Sequence, residues 1–227
     1  MLEPEAIQAA LYAAAGDVQA LVNHLGLAAR SAPTAKLVFE ADFQASLRLA
    51  FQFGRVETVS VSAPLASKGL LSQPVDVVVA GKSRTPQFAA EISWHPRGED
   101  HAGFATRTMW DLVKMVVARQ AGAVEQAAVV IAAPSRFWRW IPGYAEDHPG
   151  FDLLASNTST PTSTKAAFLA GPTWNQLFDE GMDRDLPERL WTSLLVGSQI
   201  ESPWADTEVR LLEVKGLGQV APVRATG

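Results

Sequence analysis

PVDVVVAGKSRTPQFAAEISW, residues 74–94, is the stretch that decides the fold. It opens as a short β-branched run begun by a proline and closed by a glycine, passes through the turn residues GKSRTP, and ends in a second apolar run. Two such runs around a turn read as consecutive antiparallel strands. Each carries an acid inside its apolar part, Asp76 in the first and Glu91 in the second. A carboxylate there costs several kcal/mol to desolvate unless a metal, a proton or a cation compensates it. Neighbouring strands bring both carboxylates to one place.

Working outward, VETVSVSAP (56–64) alternates and adds a third strand, and LVFEADFQASLRLAFQF (37–53) spaces Phe39, Phe43, Leu47 and Ala50 as one amphipathic helix with Glu40 near its start. Before it, Ile7, Leu11 and Ala14 share one helical stripe and Val18, Leu21, Val22 and Leu25 another. The break at Gly16-Asp17, with Asp17 as N-cap, predicts a helical hairpin over residues 1–30, followed by the connector ARSAPTAK. Downstream, TRTMWDLVKMVVARQAG (106–122) is a helix with Met109, Leu112, Val113 and Val116 on one side and Arg107, Asp111 and Lys114 on the other. AAVVIAAP (127–134) is apolar throughout, as a strand buried on both faces and paired parallel through a helical crossover must be.

The predicted core therefore spans residues 37–134, with 135–227 as a C-terminal extension packing on it. In that extension PERLWTSLLVGSQI (187–200) reads as a helix with proline in its first turn, TEVRLLEVKG (207–216) as a strand, SNTSTPTSTK as a polar loop and LGQVAPVRATG as a tail.

Composition bounds the chemistry. Of the 227 residues 48% are hydrophobic and 19% charged, an ordinary globular balance. The sequence lacks a long apolar run, and early acids stand where a leader's basic residues would be, so neither a membrane span nor a signal peptide is expected and the expected location is cytoplasmic. Cysteine is absent, which excludes disulfides, thiolate metal sites and cysteine nucleophiles and leaves any metal to carboxylates or the four histidines. A net charge of −5 argues against a large nucleic-acid footprint, while leaving room for a local basic face.

A helix with an early Glu (FEADFQASLRLAF), a Pro-x-Asp strand (PVDVVV), a strand carrying Glu (AAEIS), a helix containing DLVK and a buried strand (AAVVIAAP), in that order, resemble the PD-(D/E)XK nuclease superfamily. The resemblance implies a restriction-endonuclease-like α/β fold, a mixed central sheet flanked by helices. It also implies hydrolysis of phosphodiester bonds in DNA or RNA with Mg2+ or Mn2+ held by Asp76 and Glu91 and supported by Glu40. Hard cations of this kind take oxygen ligands. The family's lysine falls two residues after the strand glutamate, where this chain has Ser93. Lys114 is the first substitute for it and Lys82 the second, although the apolar stripe of its helix turns Lys114 away from the sheet unless its stem curls around the helix end. The alternative is a catalytically silent protein of the same fold that binds nucleic acid or assembles with a partner. Convergence of Lys114 with the carboxylates favours the enzyme; a Glu91 bonded to Ser93 or an arginine favours the silent protein.

Other features carry competing readings. Glu213-Val214-Lys215 is a literal Glu-x-Lys, but too little chain follows it to complete the core, and an exposed strand of alternating charge accounts for it. His95 and His101 flank Pro-Arg-Gly-Glu-Asp, which suggests a solvated loop before a metal site. In SRFWRW, Arg136, Trp138 and Arg139 suit contacts to phosphates and bases, and the tryptophans equally suit packing. The apolar N-terminal segment hints at a homodimer or a protein partner. A small-molecule enzyme on another α/β fold lacks any phosphate-cradling or dinucleotide motif.

Overall fold

Strand β2 (Pro74–Val79) pairs antiparallel with β1 (Val59–Pro64) on one side and with β3 (Phe88–Trp94) on the other, Val77 standing opposite Ala90. The computed structural model describes residues 2–28, 40–53, 59–66, 70–80, 84–95, 100–148, 150–155, 163–164, 189–200 and 207–216. From β3 the chain enters helix α3 (His101–Gln120), turns at Gly122 in the left-handed conformation (φ 67°) that glycine adopts without strain, and returns as β4 (Gln126–Pro134) parallel to β3. The long apolar run of β4 is thus explained: it lies inside the sheet, covered on both faces.

The remaining elements are α1 (Pro4–Ala28), α2 (Glu40–Phe53), a 3-10 turn (Leu70–Ser72), α4 (Ser135–Asp147), α5 (Asp152–Ala155), β5 (Ser163–Thr164), β6 (Arg189–Ile200) and β7 (Thr207–Gly216). They complete a seven-stranded mixed sheet in the order β1-β2-β3-β4-β7-β6-β5. Helices α1 and α2 close one face, where Ile7, Leu11, Phe43, Leu47 and Phe51 pack on Val77, Phe88 and Val130. Helices α3, α4 and α5 close the other, where Phe104, Leu112, Phe137 and Leu154 pack on Ala89, Val129 and Leu212. The fold is α/β, a mixed sheet flanked by helices. Among the described residues no helix is long and apolar enough to cross a membrane.

Three expectations are corrected. The N-terminal hairpin is one continuous helix: Gly16 and Asp17 fall on its exposed side, and the buried stripe of Ile7, Leu11, Ala14 and Val18 runs past them unbroken. Cooperative packing of that stripe outweighs the roughly 1 kcal/mol that a mid-helix glycine costs. Residues 189–200 form a strand, not a helix, because they pair along their length with β7. Strand β7 itself lies between β4 and β6, so Glu213 is not on an exposed strand; its side chain is 13% exposed and stands 3.7 Å from Arg119 Nη1. The connector 29–36, Lys82, most of SNTSTPTSTK and the tail 217–227 lie outside the described residues.

Candidate active site

Strand β2 changes face at Asp76. Val75 and Val78 pack toward α3 while Val77 and Val79 pack toward α2, so the strict alternation of a strand fails between Val75 and Val77. The ladder to β3 covers Val77–Val79 only, and the side chain of Asp76 fills the opening: its Oδ2 accepts the Ile92 N–H at 2.8 Å. From α2, Gln44 Nε2 donates to the Asp76 carbonyl at 2.8 Å and to Asp76 Oδ1 at 3.3 Å, fixing the acid from the other side of the sheet.

Glu91 and Ser93 share the face of β3 that looks at α3. Helix α3 runs back along this strand, so polar residues meet in sequence. Lys114 Nζ forms an ion pair with Glu91 Oε1 and donates to the Pro74 carbonyl at 2.6 Å, while Glu91 Oε2 accepts the Asp76 N–H at 3.4 Å. One turn earlier on α3, Asp111 Oδ2 accepts the Ser93 hydroxyl at 2.5 Å. Arg107 Nη2 donates to the Trp94 carbonyl at 3.0 Å, and the Trp94 N–H is taken by Glu40, the first residue of α2. Beyond the end of β3, His95 Nε2 and His101 Nδ1 are 2.9 Å apart.

Lys114 therefore does not turn away from the sheet. Residues 112–118 of α3 are all buried, because the helix packs on β3, β4 and β7, touches α4 and is crossed by the 3-10 turn before β2. A helix covered on so many sides has no solvent face at that point, and Lys114 satisfies its charge on Glu91 instead.

The electrostatics follow from crowding. Glu40, Asp76, Glu91 and Asp111 face two cations, Arg107 and Lys114. Burial pushes Glu91 up to about 8, against the bond from Lys114 and with help from Asp76. Burial also pushes Asp111 up to about 6, against the Ser93 hydroxyl and Arg107, and raises Glu40, with Asp76 adding to it and Arg107 opposing. His101 is lowered, first by burial and then by His95 and Arg136. The two histidines themselves are packed, His95 buried and both rings against Phe137, while the expected loop between them, residues 96–99, lies outside the described residues.

Of the residues named from sequence, Glu40, Asp76, Glu91 and Lys114 come together. Trp138 does not offer its face to a ligand; it is buried, donates its ring N–H to the Glu208 carbonyl at 3.3 Å and lies under the Arg210 guanidinium at 4.1 Å. Arg136 and Arg139 are exposed on α4. Asp111, Arg107 and Gln44 were missed as members of the site. The signal for the first two was present, since Arg107, Asp111 and Lys114 recur at helical spacing on one stripe; Gln44 lies one turn beyond Glu40.

Among the described residues no three His, Asp or Glu side chains stand in a metal-holding arrangement. The donor set nonetheless suits a hard divalent cation: it is all oxygen, carries more acids than bases, and sets half-buried Asp76 unfavourably against buried Glu91. Comparison with protein-family models, curated proteins and solved structures gives no match.

Proposed function

We propose that the chain is a metal-dependent phosphodiesterase acting on DNA or RNA, with a core of restriction-endonuclease-like type. The observation that carries this reading is the burial of Lys114 against Glu91 and the Pro74 carbonyl, on the helix following the glutamate strand. A lysine there supplies the charge that Ser93, in the family's lysine position, cannot. Asp76 and Glu91 would hold Mg2+ or Mn2+, which supplies charge neutralisation on a phosphoryl group and an acidified water. Gln44 and the Ile92 N–H orient Asp76, Glu40 and Arg107 grip the Trp94 main chain on either side, and Lys114 counters the charge of Glu91. Exposed Arg136 and Arg139, just beyond β4, offer phosphate contacts; Trp138 does not take part.

One observation favours the silent alternative, a nucleic-acid-binding or assembly module. Both oxygens of Asp76 and both of Glu91 already have donors within the chain, and an ammonium stands against Glu91 where a cation would. The test is cleavage of labelled single- and double-stranded DNA and RNA with Mg2+ or Mn2+, beside Asp76→Ala and Glu91→Ala. Metal-dependent cutting lost in both variants is the expected result. No cutting, with no metal-induced rise in thermal stability, would sink the enzyme in favour of the silent module.

A further inference from the structure

Building on the phosphodiesterase reading, we propose that Asp111, held by Ser93, accepts the proton of the attacking water. Ser93 occupies the place from which the resembled family presents a lysine, and it is fully buried. Its hydroxyl hands that place on: it pins Oδ2 of Asp111 at 2.5 Å, fixing a half-buried carboxylate over the strand face that also carries Glu91.

The two oxygens of Asp111 differ. The oxygens of Asp76 are held by Ile92 and Gln44, and those of Glu91 by Lys114 and the Asp76 N–H. Asp111 Oδ1 accepts no hydrogen bond from the described residues. One oxygen is fixed and the other has no donor among the described residues, which is the geometry a positioned base requires. The charged groups facing it are Arg107 and Lys114 on its own helix, Asp76 on β2 and Glu40 on α2. Burial outweighs the two cations, so Asp111 holds a proton more readily than an ordinary aspartate and is still ionised at neutral pH. A lysine must first lose its own proton to act as a base; an aspartate in its place does not.

In the step assigned to it, a water proton passes to Asp111 Oδ1 and the water oxygen forms its bond to phosphorus. The bond from phosphorus to the leaving nucleoside oxygen breaks, and that oxygen takes a proton from solvent. Asp111 then returns its proton to solvent, so water is consumed and two ends are released.

The experiment is the pH profile of kcat and KM for wild-type, Asp111→Asn and Ser93→Ala, on whichever nucleic acid the wild-type cuts. Asp111→Asn should lose about 10²–10⁴-fold in kcat with KM little changed. The wild-type kcat/KM should rise through about pH 6, and in Asp111→Asn this rise should be replaced by a steady increase with hydroxide. Ser93→Ala should keep the rise but move it to higher pH, because the serine bond favours the ionised form. A merely structural Asp111 would leave the profile's shape alone, and the Ser93→Ala profile decides the matter if Asp111→Asn does not fold. An active wild-type whose profile neither variant alters overturns this assignment alone; a wild-type that cuts nothing overturns it together with the phosphodiesterase reading.

Discussion

Replacing Glu91 by Gln should remove a specific slope from the pH dependence of stability. In the folded chain burial raises Glu91 from 4.5 to about 8, so between those values the folded state holds a proton that the unfolded state has released. Stability from this group is fully present below pH 4.5 and is lost as pH rises through about 8. Each tenfold change in proton affinity is worth about 1.4 kcal/mol, so the whole span amounts to about 5 kcal/mol. That is comparable with the total stability of many domains. The side chain is 7% exposed, so solvent screening takes little from the figure. Asp111 contributes a second fall of the same sign between 3.8 and about 6, and His101, whose lowered value gives the opposite sign, a rise. Both are common to wild-type and Glu91→Gln and cancel in the difference between them. Urea unfolding in EDTA between pH 4.5 and 8.5 measures that difference. Wild-type should lose about 1.4 kcal/mol per pH unit relative to Glu91→Gln across the window, apart from a constant offset for the unpaired Lys114. A difference independent of pH would refute the placing of Glu91 in a desolvated, acid-crowded site, and with it the argument for a cation there.

The ion pair gives a second test, made above pH 8 where Glu91 is ionised: Lys114→Met should cost about 3–5 kcal/mol by stranding Glu91, whereas Glu91→Gln with Lys114→Met should be near neutral or stabilising, as urea midpoints would report. Trp138→Ala should cost about 3–5 kcal/mol through the core it leaves, without weakening nucleic-acid binding beyond the loss of folded protein. Arg136→Ala with Arg139→Ala should do the reverse, changing stability by about 0.5 kcal/mol or less while flattening the salt dependence of binding. Glu213→Ala should leave cleavage unchanged, since Glu213 faces Arg119 and not the Asp76–Glu91 group; lost activity with an unchanged Tm would move the site to β7.

How far the sequence speaks depends on how local each signal is. The antiparallel β1–β2–β3 run, the α3 crossover and buried β4 were legible, because period, turn residues and Gly122 all act within a few residues. Strand β6 was not, since LWTSLLVGSQI has no extended signature of its own and becomes a strand by pairing with β7. The same holds at the site. Asp76 and Glu91 stood out because an acid in an apolar run is locally anomalous, whereas Asp111 sits in a helix stripe where an acid is ordinary. Only the packing of α3 on β3 turns that stripe inward.

That seam also explains why a serine at position 93 is tolerated. A lysine there would add a third cation beside buried Lys114 and half-buried Arg107, whereas the small hydroxyl leaves room for Asp111 to reach the strand. On the proposed reading, an ammonium on α3 and a carboxylate at β3 exchange the positions of the charges relative to the resembled family and keep one cation against Glu91. The exchange requires both changes together. Ser93→Lys in this chain should therefore fold poorly while Asp111 remains, because Ser93 has no exposed surface to yield to the longer side chain. With Asp111→Ala it should recover part of that loss, read as a rise in urea midpoint. A loss in the double variant equal to the sum of the Ser93→Lys and Asp111→Ala losses would show that positions 93 and 111 are not coupled.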